Sequence, residues 1–227
     1  MPFLDLPDRL REVRGKIDVA VERGGHGQTV TIVAVTKTHG PEAPRAAWLA
    51  GLRNVGENRV QEALPKMDQV AEPLLWHLIG HLQRNKVRHA VRFNLVQSLD
   101  SARLADALND VGIRAGRQVD VLTQVNVSGE GTKGGYTLAE LAPEAERLRS
   151  LTGLRVRGAM TMAPYGADER MLRVVFSGAR RARDLLCAAG HRATELSMGM
   201  SNDYEVAVEE GATMVRLGTI LFGARAA

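Results

Sequence analysis

The chain has 227 residues, of which 44% are hydrophobic and 25% are charged, and its net charge is +4. This length fits one large α/β domain or two small ones, and a chain of this size buries enough surface to fold without disulfides or bound metals. The single cysteine, Cys187, excludes an internal disulfide. There is no signal-peptide pattern, no apolar run approaches the roughly 18 residues of a membrane helix, and aromatic content is 4%, so we expect a soluble cytoplasmic protein without nucleic-acid or membrane partners.

Helix and strand signals alternate along the chain. Apolar residues recur at helical spacing over 8–23 and predict a first helix. Eight short apolar runs predict strands at 31–37, 54–58, 76–80, 95–99, 120–127, 155–162, 194–199 and 214–218. Helical patterns separate them at 42–50, 59–67, 82–91, 101–111, 137–151, 169–190 and 202–211. Such alternation implies parallel pairing, so we predict an α/β fold, one (β/α)8 TIM barrel domain over 1–227 with an additional N-terminal helix.

The predicted barrel also says where chemistry should lie. Active sites of such barrels are built at the C-terminal ends of the strands. Polar and small residues collect at these ends, namely Lys37, Glu57, Asn58, His81, Asn126, Met162, Ser197, Met200, Ser201, Arg216 and Gly218.

A lysine, Lys37, ends the buried-strand pattern of 31–37. One interpretation is structural, because lysines often flank strands as solvent-exposed residues without a chemical role. A chemical role requires an amine that can be neutral near pH 7. Burial and a neighbouring cation such as Arg216 both lower the pKa of a lysine amine. A neutral amine forms a Schiff base with an aldehyde, and pyridoxal phosphate is the common one. Such a ligand also needs a phosphate site.

Two turns near the end of the chain are candidates for that phosphate site. Residues 197–201, Ser-Met-Gly-Met-Ser, leave one predicted strand, and Gly218-Thr219 leave the last. Backbone N–H groups at glycine turns and helix N-termini bind phosphate, and barrels frequently place phosphate after strands 7 and 8. Ordinary strand-ending turns are the alternative interpretation.

Motifs spaced over nearly the whole chain resemble those of a known family. They are VAVTKTH (33–39), GENRVQE (56–62), WHLIGHLQRNK (76–86), NVSGEGTKGG (126–135), GAMTM (158–162), LSMGMSNDYEVAVEEG (196–211) and VRLGTILFGAR (215–225). In this order they resemble the pyridoxal-phosphate homeostasis proteins, the YggS/PROSC family, which look like the barrel domain of alanine racemase without its second domain. The resemblance implies a fold-type III barrel that binds and hands over the cofactor, with no established turnover.

The resemblance assigns cofactor-binding positions residue by residue. Lys37 matches the lysine that holds pyridoxal 5′-phosphate as a covalent aldimine. Ser201, Gly218 and Thr219 match the phosphate-binding positions. The family pattern therefore implies that the two turns at the end of the chain hold the phosphate of a cofactor bonded to Lys37.

Arg216 matches the arginine that faces the pyridine nitrogen. Because the pKa of arginine exceeds 12, it cannot protonate that nitrogen, and a neutral ring is a poorer electron sink. This favours a cofactor holder or a racemase-like scaffold over a transaminase. Asn58 and Met200 match positions lining the pocket, whereas His81 falls where the family varies and receives no role.

The leading hypothesis is a non-catalytic protein that buffers the cofactor and delivers it to apo pyridoxal-phosphate enzymes, as a monomer because the racemase second domain is missing. The alternative is a single-domain amino-acid racemase, which needs a second acid/base on the opposite cofactor face. Of the tyrosines Tyr136, Tyr165 and Tyr204, only Tyr165 follows a strand end, and we expect it to pack over a loop.

A third hypothesis, a nicotinamide-dependent oxidoreductase, depends on GEGTKG at 129–134 alone. This match to G-x-G-x-x-G has no acidic residue at the end of the next predicted strand, so it is not a dinucleotide fingerprint. Lys133 and the glycines instead suggest a mobile loop over the barrel mouth.

Two further patterns favour structural interpretations. His77 and His81 are four residues apart, which on an extended strand is about 13 Å and too far for one zinc ion. Arg84, Arg88 and Arg92 would share one solvated helical face. We expect Cys187 to be a small buried helix residue.

Overall fold

Eight parallel strands close into one barrel, in chain order from β1 to β8. The computed structural model describes residues 3–129 and 134–223. The barrel closes where β1 pairs with β8, with Val33 opposite Arg216. The predicted barrel and its eight strands are confirmed, as β1 Thr31–Val35, β2 Asn54–Glu57, β3 Leu75–Leu78, β4 Leu95–Leu99, β5 Val119–Gln124, β6 Leu154–Met160, β7 Glu195–Ser197 and β8 Met214–Leu217.

Helices connect the strands and surround the barrel. They are α1 Leu6–Gly24, α2 Glu42–Leu49, α3 Val60–Gln69, α4 Ala102–Arg114, α5 Leu138–Leu148, α6 Glu169–Ala188, α7 Tyr204–Glu209 and α8 Thr219–Phe222. The stretch predicted as a helix over 82–91 is a 3₁₀ helix, Arg84–Arg92, and the one-turn α8 was not predicted. Within the described ranges, no helix is long and apolar enough to cross a membrane.

The predicted N-terminal helix is confirmed as α1. It buries one apolar stripe at helical spacing, made of Leu6, Leu10, Val13, Ile17 and Ala20. The stripe lies against α7 and α8, the two helices that flank β8. The added helix therefore covers the outside of the barrel next to its closure, and Phe3, just before it, contacts His39 and Phe222.

Two predictions about the outer surface are wrong. Arg84, Arg88 and Arg92 are all exposed, as expected, but in a 3₁₀ helix residues three apart, not four apart, share a face, so they do not lie along one face. Arg92 Nη2 instead lies 2.6 Å from Asp68 Oδ1. Cys187 is exposed on α6, because its position lies outside the apolar stripe that this helix buries.

Apolar side chains fill two separate spaces. The larger core lies between the barrel and the helices. Among the described residues, the smaller apolar cluster consists of Val33, Leu95, Leu122, Met160 and Met214, on the interior side of their strands, with Met162 packed against it. Barrel interiors are usually filled by bulky branched side chains. Here buried polar side chains share that space, and they form the floor of the site described below.

Candidate functional site

Lys37 lies in the turn after β1, at the C-terminal end of the barrel, hereafter the barrel mouth. β1 ends two residues before Lys37, earlier than predicted, and the His39 amide closes the turn by donating to the Thr36 carbonyl at 3.2 Å. Thr38 has φ +66°, a left-handed conformation that costs a β-branched residue about 1–3 kcal/mol. Lys37 is partly buried in this turn, directly after the strand whose residue Val33 belongs to the interior cluster.

Arg216, on β8, is a buried cation at the centre of the barrel interior. Its Nη1 donates to Ser197 Oγ at 2.6 Å and its Nη2 to the Thr161 carbonyl at 2.8 Å. Burial lowers the pKa of Arg216 to about 10, and the nearby Asp203 carboxylate opposes that shift. The guanidinium therefore stays protonated at neutral pH, even without solvent around it.

A series of buried hydrogen bonds runs from Arg216 across the barrel, hereafter the interior hydrogen-bond chain. Ser197 Oγ donates to Gln97 Oε1 at 2.6 Å, and Gln97 Nε2 lies 2.9 Å from His77 Nδ1. His77 Nε2 lies 2.9 Å from Asn54 Oδ1. Because the Gln97 amide donates, Nδ1 accepts, and the network assigns His77 as the neutral Nε2–H tautomer. Strands on opposite sides of the barrel are thus tied beneath the mouth.

Sequence reasoning did not place Gln97 or His77 in this site. The available signal was a polar residue in the middle of an apolar strand, which predicts an interior position but not its partner. His77 and His81 are separated as predicted, since His81 is exposed and its Nδ1 lies 3.0 Å from Asp100 Oδ2. Among the described residues, no cluster of three metal-ligating side chains occurs.

Acid should weaken the fold through His77. Burial lowers the pKa of His77 from 6.5 to about 4. The unfolded chain therefore takes up a proton in this window before the folded chain does, so the free energy of unfolding falls as pH drops from 6.5 towards 4, by roughly 3 kcal/mol. Urea unfolding of wild type and His77→Gln at several pH values measures this. A loss of equal size in His77→Gln would assign the acid sensitivity to other groups.

The two turns predicted to hold a phosphate lie together at the barrel mouth. The backbone amide of Ile220 donates to Ser201 Oγ at 3.4 Å, which joins the turn after β7 to the turn after β8. Gly218 immediately precedes α8, which begins at the exposed Thr219. The hydroxyl of Ser201 and the backbone of the Gly218–Thr219 turn therefore share one side of the mouth.

Gly199 shapes the first of these turns. It has φ +92°, and a Cβ atom there would lie 2.6 Å from the Ala207 Cβ atom, so only glycine fits. Its carbonyl accepts from the Arg216 amide at 2.9 Å, which ties the turn to β8. The next residue, Met200, is 38% exposed, and its amide donates to Asp203 Oδ1 at 2.6 Å. The Met200 main chain is thus fixed by Asp203, while its side chain is partly exposed.

Asn58 follows β2 at the mouth and is partly buried. A Cβ atom at Gly80 would lie 2.4 Å from the Asn58 carbonyl, so the main chains after β2 and β3 approach very closely here. Ser98 Oγ donates to the Gly80 carbonyl at 2.7 Å. Asn58 therefore sits on a rigid part of the mouth, between the turn of Lys37 and the β3 end.

None of the three tyrosines has its hydroxyl paired within the site. Tyr165 is 97% exposed, so the prediction that it packs over a loop is wrong. Tyr136 Oη donates to Glu144 on α5 at 3.2 Å, behind the barrel, and Tyr204 is buried in α7. The second acid/base of a racemase has no tyrosine counterpart fixed over the described part of the mouth.

The glycine-rich segment after β5 is described at its ends only. Gly134 accepts from Gln124 Nε2 at 2.7 Å, and a Cβ atom on Gly134 would lie 3.2 Å from Asp100 Oδ2. The predicted mobile loop with Lys133 lies outside the described residues. The strand that follows this segment, β6, ends at Met160 without an acidic residue, which leaves the dinucleotide interpretation unsupported.

Comparisons with known proteins match this architecture over the whole chain. The family model for the alanine racemase N-terminal domain matches residues 10–226. The pyridoxal phosphate homeostasis protein of Aquifex aeolicus is 42% identical over 222 residues, which is 96% of this chain and 97% of that protein.

Solved structures agree. PipY of Synechococcus elongatus PCC7942 with PLP bound has a TM-score of 0.84 and 38% identity, covering 96% of this chain and 100% of that one. Alanine racemase of Clostridium difficile 630 has a TM-score of 0.76 at 17% identity, covering 97% of this chain and 58% of the racemase, and shares the fold alone. The chain therefore belongs to the alanine racemase N-terminal domain family and, within it, to the pyridoxal phosphate homeostasis proteins.

Proposed function

We propose that this chain binds pyridoxal 5′-phosphate covalently on Lys37 and serves, in the cytoplasm, to hold the cofactor and deliver it to apo pyridoxal-phosphate enzymes without turnover. One observation carries the proposal. The turn of Lys37, the buried Arg216 and the joined turns of Ser201 and Gly218 meet at one barrel mouth. The names of the curated relatives and the PLP-bound PipY structure support it.

The residues at the mouth suit this cofactor. When bound, it supplies an aldehyde carbon that forms a C=N bond with an amine as water leaves. Lys37 offers the amine, and the Ser201 hydroxyl with the backbone N–H groups of the Gly218–Thr219 turn offers donors to a phosphate ester. Asn58 and Met200 line the remaining sides.

Arg216 restrains chemistry beyond binding. With its pKa at about 10 it remains a cation at neutral pH, so it donates a hydrogen bond but leaves the pyridine nitrogen unprotonated. A neutral ring withdraws electrons weakly from a bound amino acid. Together with the absence of a fixed tyrosine over the described mouth, this favours holding over racemisation.

We also propose that the 227 residues form one domain that works as a monomer. The barrel closes on itself without an edge strand, so pairing with another chain is not needed to complete the sheet. Sedimentation at several concentrations should give the mass of one chain, and a constant dimer mass would contradict this part of the proposal.

The proposal is tested by separating cofactor transfer from amino-acid turnover. The loaded protein, incubated with L-alanine in deuterated water, should keep the α-proton signal and form no D-alanine. The same protein, mixed directly with an apo-aminotransferase, should restore more activity than free cofactor or a dialysis-separated sample does. Rapid α-exchange with D-alanine formation would make this protein an enzyme. If the loaded protein restored no more activity than free cofactor does, delivery would be ruled out and cofactor storage would remain as the function.

Ser201→Ala should weaken pyridoxal phosphate far more than pyridoxal, because only the phosphate ester meets the hydroxyl. One lost hydrogen bond to a charged group costs roughly 1.5–3 kcal/mol, about tenfold or more in affinity. Equilibrium titration with both ligands measures the difference, and the exposed Ser150→Ala on the α5–β6 loop serves as the control. Equal weakening of both ligands by Ser201→Ala would mean that the phosphate lies elsewhere.

A further inference from the structure

A buried ion pair lies directly behind the turn of Lys37. Glu57, the last residue of β2, is fully buried, and its Oε1 lies 2.7 Å from the Nζ of Lys66 on α3, which is also buried. Burying two charges costs desolvation free energy that their attraction often fails to recover, so an apolar pair of similar size would serve stability at least as well. What the pair holds in place is therefore informative.

The pair holds Thr36, the residue before Lys37, at two points. Thr36 Oγ1 donates to Glu57 Oε1 at 2.6 Å, and Lys66 Nζ donates to the Thr36 carbonyl at 2.8 Å. That carbonyl also accepts from the His39 amide, the bond that closes the turn. Both the side chain and the main chain at the start of the turn are thus fixed from α3 and β2.

A second side chain of α3 reaches the same turn. Glu62 Oε2 accepts from the amide of Thr38 at 3.4 Å, one helical turn before Lys66. Thr38 holds the left-handed conformation that a threonine adopts only where its surroundings impose it. The helix therefore holds the turn on both sides of Lys37.

The contacts of the pair also engage the amine of Lys66. Lys66 Nζ donates to both the Glu57 carboxylate and the Thr36 carbonyl, so these two acceptors hold its amine inside the protein. Burial raises the pKa of Glu57, and the hydrogen bonds from Lys66 and Thr36 oppose that rise. The pair thus engages the Lys66 amine and at the same time fixes the backbone next to Lys37.

We propose that Glu57 and Lys66 are positioning residues. Through the two bonds to Thr36 they set the direction in which Lys37 projects into the mouth, and so make Lys37 the single lysine that bonds to the cofactor. This inference rests on the proposed function, because it concerns how Lys37 meets the aldehyde.

The test uses the full chain with Glu57→Gln and Lys66→Met combined, which removes both charges and leaves neither ion buried alone. Two ligands separate positioning from general damage. Pyridoxal 5′-phosphate reports covalent attachment through its visible absorbance, and pyridoxine 5′-phosphate, which has no aldehyde, reports the pocket alone. We expect attachment to slow by about tenfold, the effect of one lost charged hydrogen bond, while pyridoxine 5′-phosphate affinity stays within about twofold.

Peptide mapping after borohydride reduction gives a second readout. Wild type should be labelled at Lys37 alone, and the double variant should show reduced labelling spread over other lysines. The matched control is Glu144→Gln with Arg147→Met, a pair on α5, across the barrel from α3, which should lower stability without changing the attachment rate.

Three outcomes would overturn the inference: an unchanged attachment rate, a parallel loss of pyridoxine 5′-phosphate affinity, or labelling that stays confined to Lys37. If the double variant does not fold, Thr36→Val replaces it, since this isosteric change removes only the hydroxyl bond to Glu57 and should also slow attachment. Failure of wild type itself to attach the cofactor would overturn the proposed function instead.

Discussion

Lys37→Ala yields a protein that no longer takes up pyridoxal 5′-phosphate covalently. The wild type should turn yellow with the cofactor, and borohydride should fix the colour to the chain. Without the Lys37 amine no C=N bond forms at the mouth, and the remaining affinity comes from the phosphate and ring contacts alone. Absorbance spectra and the mass of the reduced protein measure the loss.

The control for this change is Lys16→Ala. Lys16 lies on the outer helix α1, where its Nζ is 2.8 Å from Glu12 Oε1, away from the barrel mouth. The Lys16→Ala variant should show the same spectrum and the same mass increase after reduction as the wild type. If peptide mapping of wild type found another lysine as the main labelled site, the assignment of Lys37 would be wrong.

Gly199→Ala should strongly destabilise the protein and damage the turn that carries Ser201. Alanine at φ +92° costs about 1–2 kcal/mol, and the clash of its Cβ atom with Ala207 adds the about 1–3 kcal/mol typical of overpacking. We expect a loss of about 2 to 5 kcal/mol in the free energy of unfolding, measured in urea. Cofactor affinity should fall as well, because the turn carries Ser201.

Gly51→Ala is the matched control for Gly199→Ala. Gly51 has a similar φ of +83° but no atom within 4 Å of an added Cβ, so it reports the backbone cost without the clash. It should cost about 1–2 kcal/mol and leave cofactor affinity unchanged. Equal losses in the two variants would show that the contact with Ala207 relaxes freely.

The fold could be predicted from the sequence because the patterns that indicate its strands and helices are local. Each strand is a short apolar run, and alternation with helical patterns is enough to predict parallel pairing and a barrel. The boundaries were less accurate, since β1 ends where the Thr36–His39 turn begins, and that turn depends on contacts with α3. The segment Arg84–Arg92 has the residue composition of an α-helix, so the sequence predicts one, whereas the structure forms a 3₁₀ helix there.

The site was predicted in part, and what was missed is non-local. Lys37, Ser201 and Gly218 stand at strand ends, where topology alone assigns them to the mouth. The bond between Gln97 and Ser197 joins residues 100 positions apart, and no pattern in either strand records it. The sequence predicts Glu57 at the rim, but Glu57 is buried against α3, where it pairs with Lys66. The sequence could not show this, because the two residues become partners only once β2 and α3 pack together.

The direction of the interior hydrogen-bond chain has a consequence for acid. Every donated hydrogen in this chain points away from Arg216, so each hydrogen-bonding group turns its negative end towards the guanidinium. This row of fixed dipoles replaces water around the buried cation. A proton on His77 Nδ1 would face the Gln97 amide nitrogen, donor against donor. The amide would have to rotate and present its nitrogen to Ser197, which already accepts from Arg216. One proton on His77 would thus reverse the polarity of the links between His77 and Arg216 and set them against the charge they now solvate. Protonation at His77 and the cation at Arg216 therefore oppose each other across the width of the barrel.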